Sequence, residues 1–222
     1  MTLLISAKSQ DGVVVTADGR GNVTSSSGHS VASDSLQKIF PCSFGALAVA
    51  HHGENEVRGE PVSVYIERLL GSIGSEDVDM VACRCLCELD DDITHTLSEN
   101  AFRKYCGFWV IGATVSNGFA VYEVDWFKTE HGIQRKITPH GPLVIGGDCA
   151  APIKVYLGQP INAAYSHEKL STNDYRYAAD LSDILYDMVM DTSPTTCGGH
   201  KHQLLVSESG TSWIIEPAQP CG

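Results

Sequence analysis

Residues 12 to 18, GVVVTAD, form a near-continuous β-branched run. A strand with one wet face alternates apolar and polar residues, so a run of this kind belongs to a strand covered on both faces. A chain containing it must supply an apolar layer for each side. Just upstream, TLLISAK (2 to 8) reads as a second strand, joined to the first by the turn SQDG with Asp-Gly at its end.

The order of elements supplies the covering layers. After the Gly- and Ser-rich loop GRGNVTSSSGHSVASDS, a short strand is expected around Lys38 to Phe40 and another at FGALAVAHH (44 to 52). The period then becomes helical. VSVYIERLLGSI (62 to 73) follows Pro61, a favoured first-turn residue. Between Glu76 and Asn100, Val78, Val81, Ala82, Cys85, Leu86, Leu89, Ile93 and Leu97 recur at helical offsets, the stripe of a long amphipathic helix. Strands are expected again at 108 to 115, 119 to 127 and 142 to 148, and a short helix at 149 to 157. A helix from Asp174 to Met190 and two closing strands, HQLLVSE and TSWIIEP, complete the chain. Tight turns between strands predict antiparallel sheets, and helices of this length must cover their outer faces. The expected fold is α+β, a layered sandwich of helices, two sheets and helices in a single domain over residues 1 to 222.

Charge and composition narrow the partners. A formal net charge of −12 repels phosphate backbones and anionic lipid surfaces, so neither nucleic acid nor membrane is an expected partner. No apolar run approaches the ~18 residues of a membrane span. LLI, with no basic segment before it, is too short for a signal peptide. A cytoplasmic location follows, and with it reduced thiols for the eight cysteines. CRCLC (83 to 87) lacks the CxxC spacing of zinc knuckles. On a helix Cys83 and Cys87 share a face and Cys85 points away, so core packing is expected and no metal.

A threonine directly follows Met1, at the very start of the first strand. If Met1 is removed, Thr2 carries both a hydroxyl and a free α-amine, whose ordinary pKa is about 7.7 to 8.0. The neutral amine can accept the hydroxyl proton, which makes one residue both nucleophile and base. Heading a core strand would hold such a residue rigidly.

The stretch TLLISAKSQDGVVVTADGR…SVASDSLQKIFPCSFGALAVA resembles the opening of a proteasome β subunit or a close proteasome-type N-terminal-nucleophile hydrolase. GFWVIGATVSNGFAVYEVD, PLVIGGD and GGHKHQLLVSESGTSWI resemble that family's central and closing strands. The resemblance runs over essentially the whole chain and is most specific in the first fifty residues. It implies a four-layer αββα sandwich, an N-terminal threonine peptidase, Thr2 as nucleophile, Asp18 beside it and Lys38 as the nearby cation. It implies a peptide or unfolded protein as substrate, a homo-oligomeric ring and no cofactor, and it leaves open whether a regulatory ATPase is a partner. Read singly, each of the three residues is ordinarily structural; their joint order is what points to a site. Arg20, two residues after Asp18, is read as a structural partner of the acidic cluster.

Three stretches depart from the family pattern. Where the family has a glycine whose backbone N–H helps form the oxyanion hole, this chain has His51 or His52; a backbone donor survives any side chain. These two histidines have no third metal ligand at recognisable spacing. IGGD (145 to 148) stands where the family carries a supporting serine, leaving Gly147 without a hydroxyl and Asp148 or Cys149 as substitutes. DTSPTTCGG (191 to 199) is longer than its counterpart, with Asp191 as the family's aspartate and Cys197 or Thr196 near its serine. Two other functions share the resemblance: a non-catalytic structural subunit, and an amidase or peptide ligase working through the same acyl-threonine intermediate.

Overall fold

The computed structural model describes residues 2–25, 28–74, 76–99, 103–116, 118–147, 151–157, 159–192 and 197–218. The chain begins with strands β1 (Leu4–Lys8) and β2 (Gly12–Ala17), the latter buried at every position, as its β-branched run requires. β3 (Gly21–Ser25) and β4 (Gly28–Ser33) follow, then β5 (Ile39–Pro41), β6 (Leu47–Gly53), and the two-residue strands β7 (Glu56–Val57) and β8 (Glu60–Pro61). Helices α1 (Val62–Ser72) and α2 (Val78–Glu99) come next. Strands β9 (Tyr105–Thr114), β10 (Gly118–Thr129), β11 (Gly132–Pro139) and β12 (Leu143–Gly146) lead to helices α3 (Ala151–Leu157), α4 (Pro160–Thr172) and α5 (Tyr175–Thr192). β13 (His202–Ser207) and β14 (Gly210–Ile215) close the chain.

Two five-stranded antiparallel sheets carry most of the strands, in the orders β12-β1-β2-β13-β14 and β11-β10-β9-β6-β5. Among the described residues two further ribbons, β3-β4 and β7-β8, pair only with themselves. This corrects the expected four-layer αββα sandwich. The structure is a mixed one, 41% strand and 34% helix, whose strands divide over several antiparallel sheets with five helices. Part of the physical reason lies in residues 21 to 33, expected as loop. There β3 and β4 form a hairpin, with Asn22 opposite Val31 and Thr24 opposite His29.

Apolar packing follows the periodicities. Ile66 and Leu69 of α1 and Val81, Cys85 and Ile93 of α2 pack against Val49, Phe108 and Trp126. Leu4, Val13 and Val15 of one large sheet meet Ala48, Ala50, Trp109, Ile111 and Val121 of the other. On the far side of the first sheet, Leu3 and Ile5 lie against Leu185 and Val189 of α5, and Ala7 and Val14 against Ala178. Among the described residues no helix is long and apolar enough to cross a membrane. Cys85 is the buried member of CRCLC, while Cys83 and Cys87 are exposed. Cys42, Cys83, Cys85, Cys87 and Cys106 are free thiols, but Cys197 is disulfide-bonded, which corrects the expectation that all the cysteines are reduced.

Candidate active site

Alternation along the first strand turns Leu4 toward the space between the two large sheets and Leu3 and Ile5 toward α5. Carried back two positions from Leu4, the same alternation sets Thr2 on the intersheet side. Thr2 is buried, with 3% of its surface exposed. The backbone beside it is held on both of its groups. The Leu3 N–H donates to Asp18 Oδ1 at 2.8 Å, and the Leu3 carbonyl accepts from the Asp18 N–H at 3.3 Å.

Asp18 stands one residue past β2 and Lys38 one residue before β5, so the ends of strands in two different sheets bring them together. Lys38 Nζ donates to Asp18 Oδ1 at 2.7 Å and to the Arg20 carbonyl at 2.7 Å. Both side chains of the pair are 0% exposed. Burial pushes the Lys38 amine down from its ordinary pKa, and the Asp18 charge opposes that shift. The other carboxylate oxygen of Asp18 accepts from the Gly198 N–H at 3.3 Å and the Arg20 N–H at 3.4 Å. The Arg20 guanidinium turns elsewhere: Nε donates to Asp34 at 2.6 Å and Nη1 to the Cys197 carbonyl at 3.3 Å. Arg20 thus supports the cluster with its backbone, while its side chain ties the 197–199 segment and Asp34 alongside.

The remaining expected residues fall in different places. The His51 N–H donates to the Lys38 carbonyl at 3.0 Å. Strand alternation then turns the His52 N–H toward β9, where His52 stands opposite Gly107. The expected oxyanion donors are therefore engaged in the sheet, which corrects their assignment. Gly147 has a φ of +93°, and a Cβ there would lie 1.7 Å from the Thr2 carbonyl oxygen. Glycine is required by that close approach, and a serine would not fit. Asp191 is exposed near the end of α5, and among the described residues no hydrogen bond joins it to Asp18 or Lys38. Asp148, Cys149 and Thr196 lie outside the described residues.

Family models give no match to this chain, and curated proteins give none either.

Two buried histidines that the motif order does not single out in this role surround Lys38. His202 Nε2 accepts the Lys38 N–H at 3.1 Å, so the ring proton belongs on Nδ1, which faces the His200 carbonyl at 3.4 Å. Burial pushes His202 down to about 4. The His51 ring is buried beside the Gln37 backbone, and burial, with Lys38 adding to it, pushes this imidazole down to about 3. The folded chain resists protonation at both rings, whereas the unfolded chain takes up protons below about pH 6.5. Stability is therefore complete above pH 6.5 and declines as pH falls toward the folded values. Between pH 7 and 5.5 the two rings together are expected to remove roughly 2 to 3 kcal/mol, measured by urea unfolding at each pH. His202→Gln should flatten that decline by roughly half if it folds.

A second polar group escapes the motif reading. β10 reads FAVYEVDWF from Phe119, and Phe119 and Val121 face the intersheet core. The same alternation carries Glu123 and Asp125 into that layer, a signal present in the residue pattern itself. They line or adjoin a cavity of about 450 Å³ whose walls include His52, Tyr105, Trp109, Glu123, His140 and the Gly146–Gly147 backbone beside Thr2. Burial alone would raise Glu123, but hydrogen bonds from His140, His52 and Trp109 outweigh it and hold the carboxyl well below its usual range. Burial pushes Asp125 up, against the hydrogen bond from Tyr105.

Proposed function

We propose that this chain is an N-terminal threonine peptidase of the proteasome type, with Thr2 as the nucleophile once Met1 is removed. The observation that carries the reading is the dry Asp18–Lys38 pair, with its 2.7 Å contact, bonded through Asp18 to the backbone N–H that directly follows Thr2. A buried ion pair is a poor device for stability alone, since well-packed apolar residues of similar volume do as well or better. Its position suits a different task. A cation close to the Thr2 amine favours the neutral amine, which can then take the hydroxyl proton.

In the proposed reaction the Thr2 hydroxyl oxygen attacks the peptide carbonyl and its proton passes to the Thr2 amine. The tetrahedral intermediate collapses, the leaving amine takes that proton, and an acyl ester remains on Thr2. Water, deprotonated by the same amine, attacks the ester and restores the hydroxyl. No cofactor is needed. The substrate is a peptide or unfolded protein, the location cytoplasmic, and the working form a homo-oligomeric ring.

One observation favours a second reading. With the His51 and His52 amides held in the sheet, the proposed oxyanion lacks the donors expected for it, which favours a non-catalytic subunit of a similar particle. Intact mass spectrometry separates the two. The mature protein is expected to begin at Thr2 and, after incubation with an activated peptide ester, to gain one acyl group located on Thr2 by fragmentation. Retained Met1, or a free Thr2 that stays unmodified, would move the chain to the non-catalytic reading.

A further inference from the structure

Among the described residues a dense group of titratable side chains lies at the polar end of the intersheet layer, outside the Thr2 region. His52 Nε2 is 3.1 Å from Glu123 Oε1 and 3.3 Å from the Tyr105 hydroxyl. Tyr105 donates to Asp125 Oδ1. The ligand atoms of His52, Glu123 and Asp125 all lie within 4.8 Å of one another. These residues come from β6 and β10 and share one layer, which is why no spacing in the sequence announces them.

We propose that His52, Glu123 and Asp125 form a binding site for a divalent transition-metal ion, with Zn²⁺ as the representative. A tetrahedral Zn²⁺ takes nitrogen and oxygen ligands at about 2.0 to 2.2 Å, which sets neighbouring ligand atoms roughly 3.4 Å apart. The three ligand atoms, all within 4.8 Å of one another, would have to draw in to that spacing on binding. One imidazole and two carboxylates suit Zn²⁺ or Mn²⁺ and disfavour soft ions that want thiolate. The cavity of about 450 Å³ gives a route in and room for a water as the fourth ligand.

The surrounding residues are arranged as supports for such a site. His140 Nε2 lies 2.8 Å from Glu123 Oε2, and the Trp109 indole N–H donates to Glu123 Oε1 at 3.1 Å. Orienting partners of this kind are a usual part of metal centres. Gly107 lies beneath the cluster: a Cβ there would come within 2.5 Å of the Tyr105 hydroxyl and 2.8 Å of both Asp125 Oδ1 and His52 Nε2. Two carboxylates sit together at this end of the layer, and their hydrogen-bond partners are imidazole, indole and phenol groups. A divalent ion would balance that charge. The proposal does not depend on Thr2 being a nucleophile.

The test is calorimetric titration of the full chain with ZnCl₂ at pH 7.5 after chelator treatment and buffer exchange. One Zn²⁺ per chain is expected. His140→Ala, an orienting partner, should weaken binding by roughly 10- to 100-fold. His52→Ala and Asp125→Asn, which remove ligands, should weaken it more than that, with circular dichroism confirming folded protein. Cys83→Ser/Cys87→Ser, which removes the exposed thiols of α2, should leave binding unchanged. Failure of the unmodified chain to bind Zn²⁺ would overturn the proposal without requiring any variant to fold. Binding that survives Asp125→Asn but disappears with the two thiols would overturn it equally.

Discussion

Thr2→Ala is expected to abolish hydrolysis of a peptide amide while the protein stays folded. The substitution removes one hydroxyl and one methyl from a residue whose neighbours are fixed through the backbone. The Leu3 amide keeps its bond to Asp18, and the Asp18 amide keeps its bond to the Leu3 carbonyl. The loss of stability should be about 1 kcal/mol. The loss of rate should be on the order of 10⁴-fold or more, as deletion of a catalytic nucleophile costs in other hydrolases. Circular dichroism and a progress curve with a fluorogenic peptide, measured side by side, decide the matter. Turnover unchanged in folded Thr2→Ala would end the threonine-nucleophile reading.

Lys38→Met should damage both properties at once. It removes the cation from a pair in which neither side chain touches water, and leaves Asp18 charged and buried. Breaking such a pair from one side costs about 3 to 5 kcal/mol. The Arg20 carbonyl also loses its donor. Activity in any folded remainder should fall severely, and the pH for half-maximal rate should rise, because the Thr2 amine returns toward its ordinary pKa. The double variant Asp18→Asn/Lys38→Met separates the roles. It no longer buries an unpaired charge, so much of the stability should return while the activity does not. Lys38→Arg should rescue little, since a forked guanidinium does not fit the space of a single ammonium between Asp18 and the Arg20 carbonyl. Equal activity in Lys38→Met and the unmodified chain, at every pH, would remove Lys38 from the proposed chemistry.

How much of the fold and site is legible in the sequence depends on the range of the interaction. β2, α2 and α5 carry strong periods of their own and lie close to where those periods place them. α4 escapes the sequence reading because PINAAYSHEKLST has few apolar residues and no continuous stripe. β11 escapes it because the strand is largely exposed, and its place is set by pairing with β10. The meeting of Asp18 with Lys38 is an expectation that the family resemblance carries, and the pair does meet. His202 and Gly198 are not legible as partners, because they reach the pair from 164 and 180 residues away along the chain. The oxyanion assignment fails for a local reason. A sequence shows which residue heads or ends a strand, but the direction of each N–H follows from register. The pairing of Ile39 with Ala50 directs the next amide, that of His51, onto the Lys38 carbonyl.

The dehydrated Asp18–Lys38 pair also bears on heating. Hydration of charged groups carries a strongly unfavourable entropy, so the penalty for keeping this ammonium and carboxylate away from water shrinks as temperature rises. Their mutual attraction changes little. Relative to an apolar pair of the same volume, the ionic arrangement therefore gains with warming, and the end of β2 that it clamps becomes a comparatively heat-tolerant part of the chain. The start of β1, bonded to the same carboxylate, shares that tolerance.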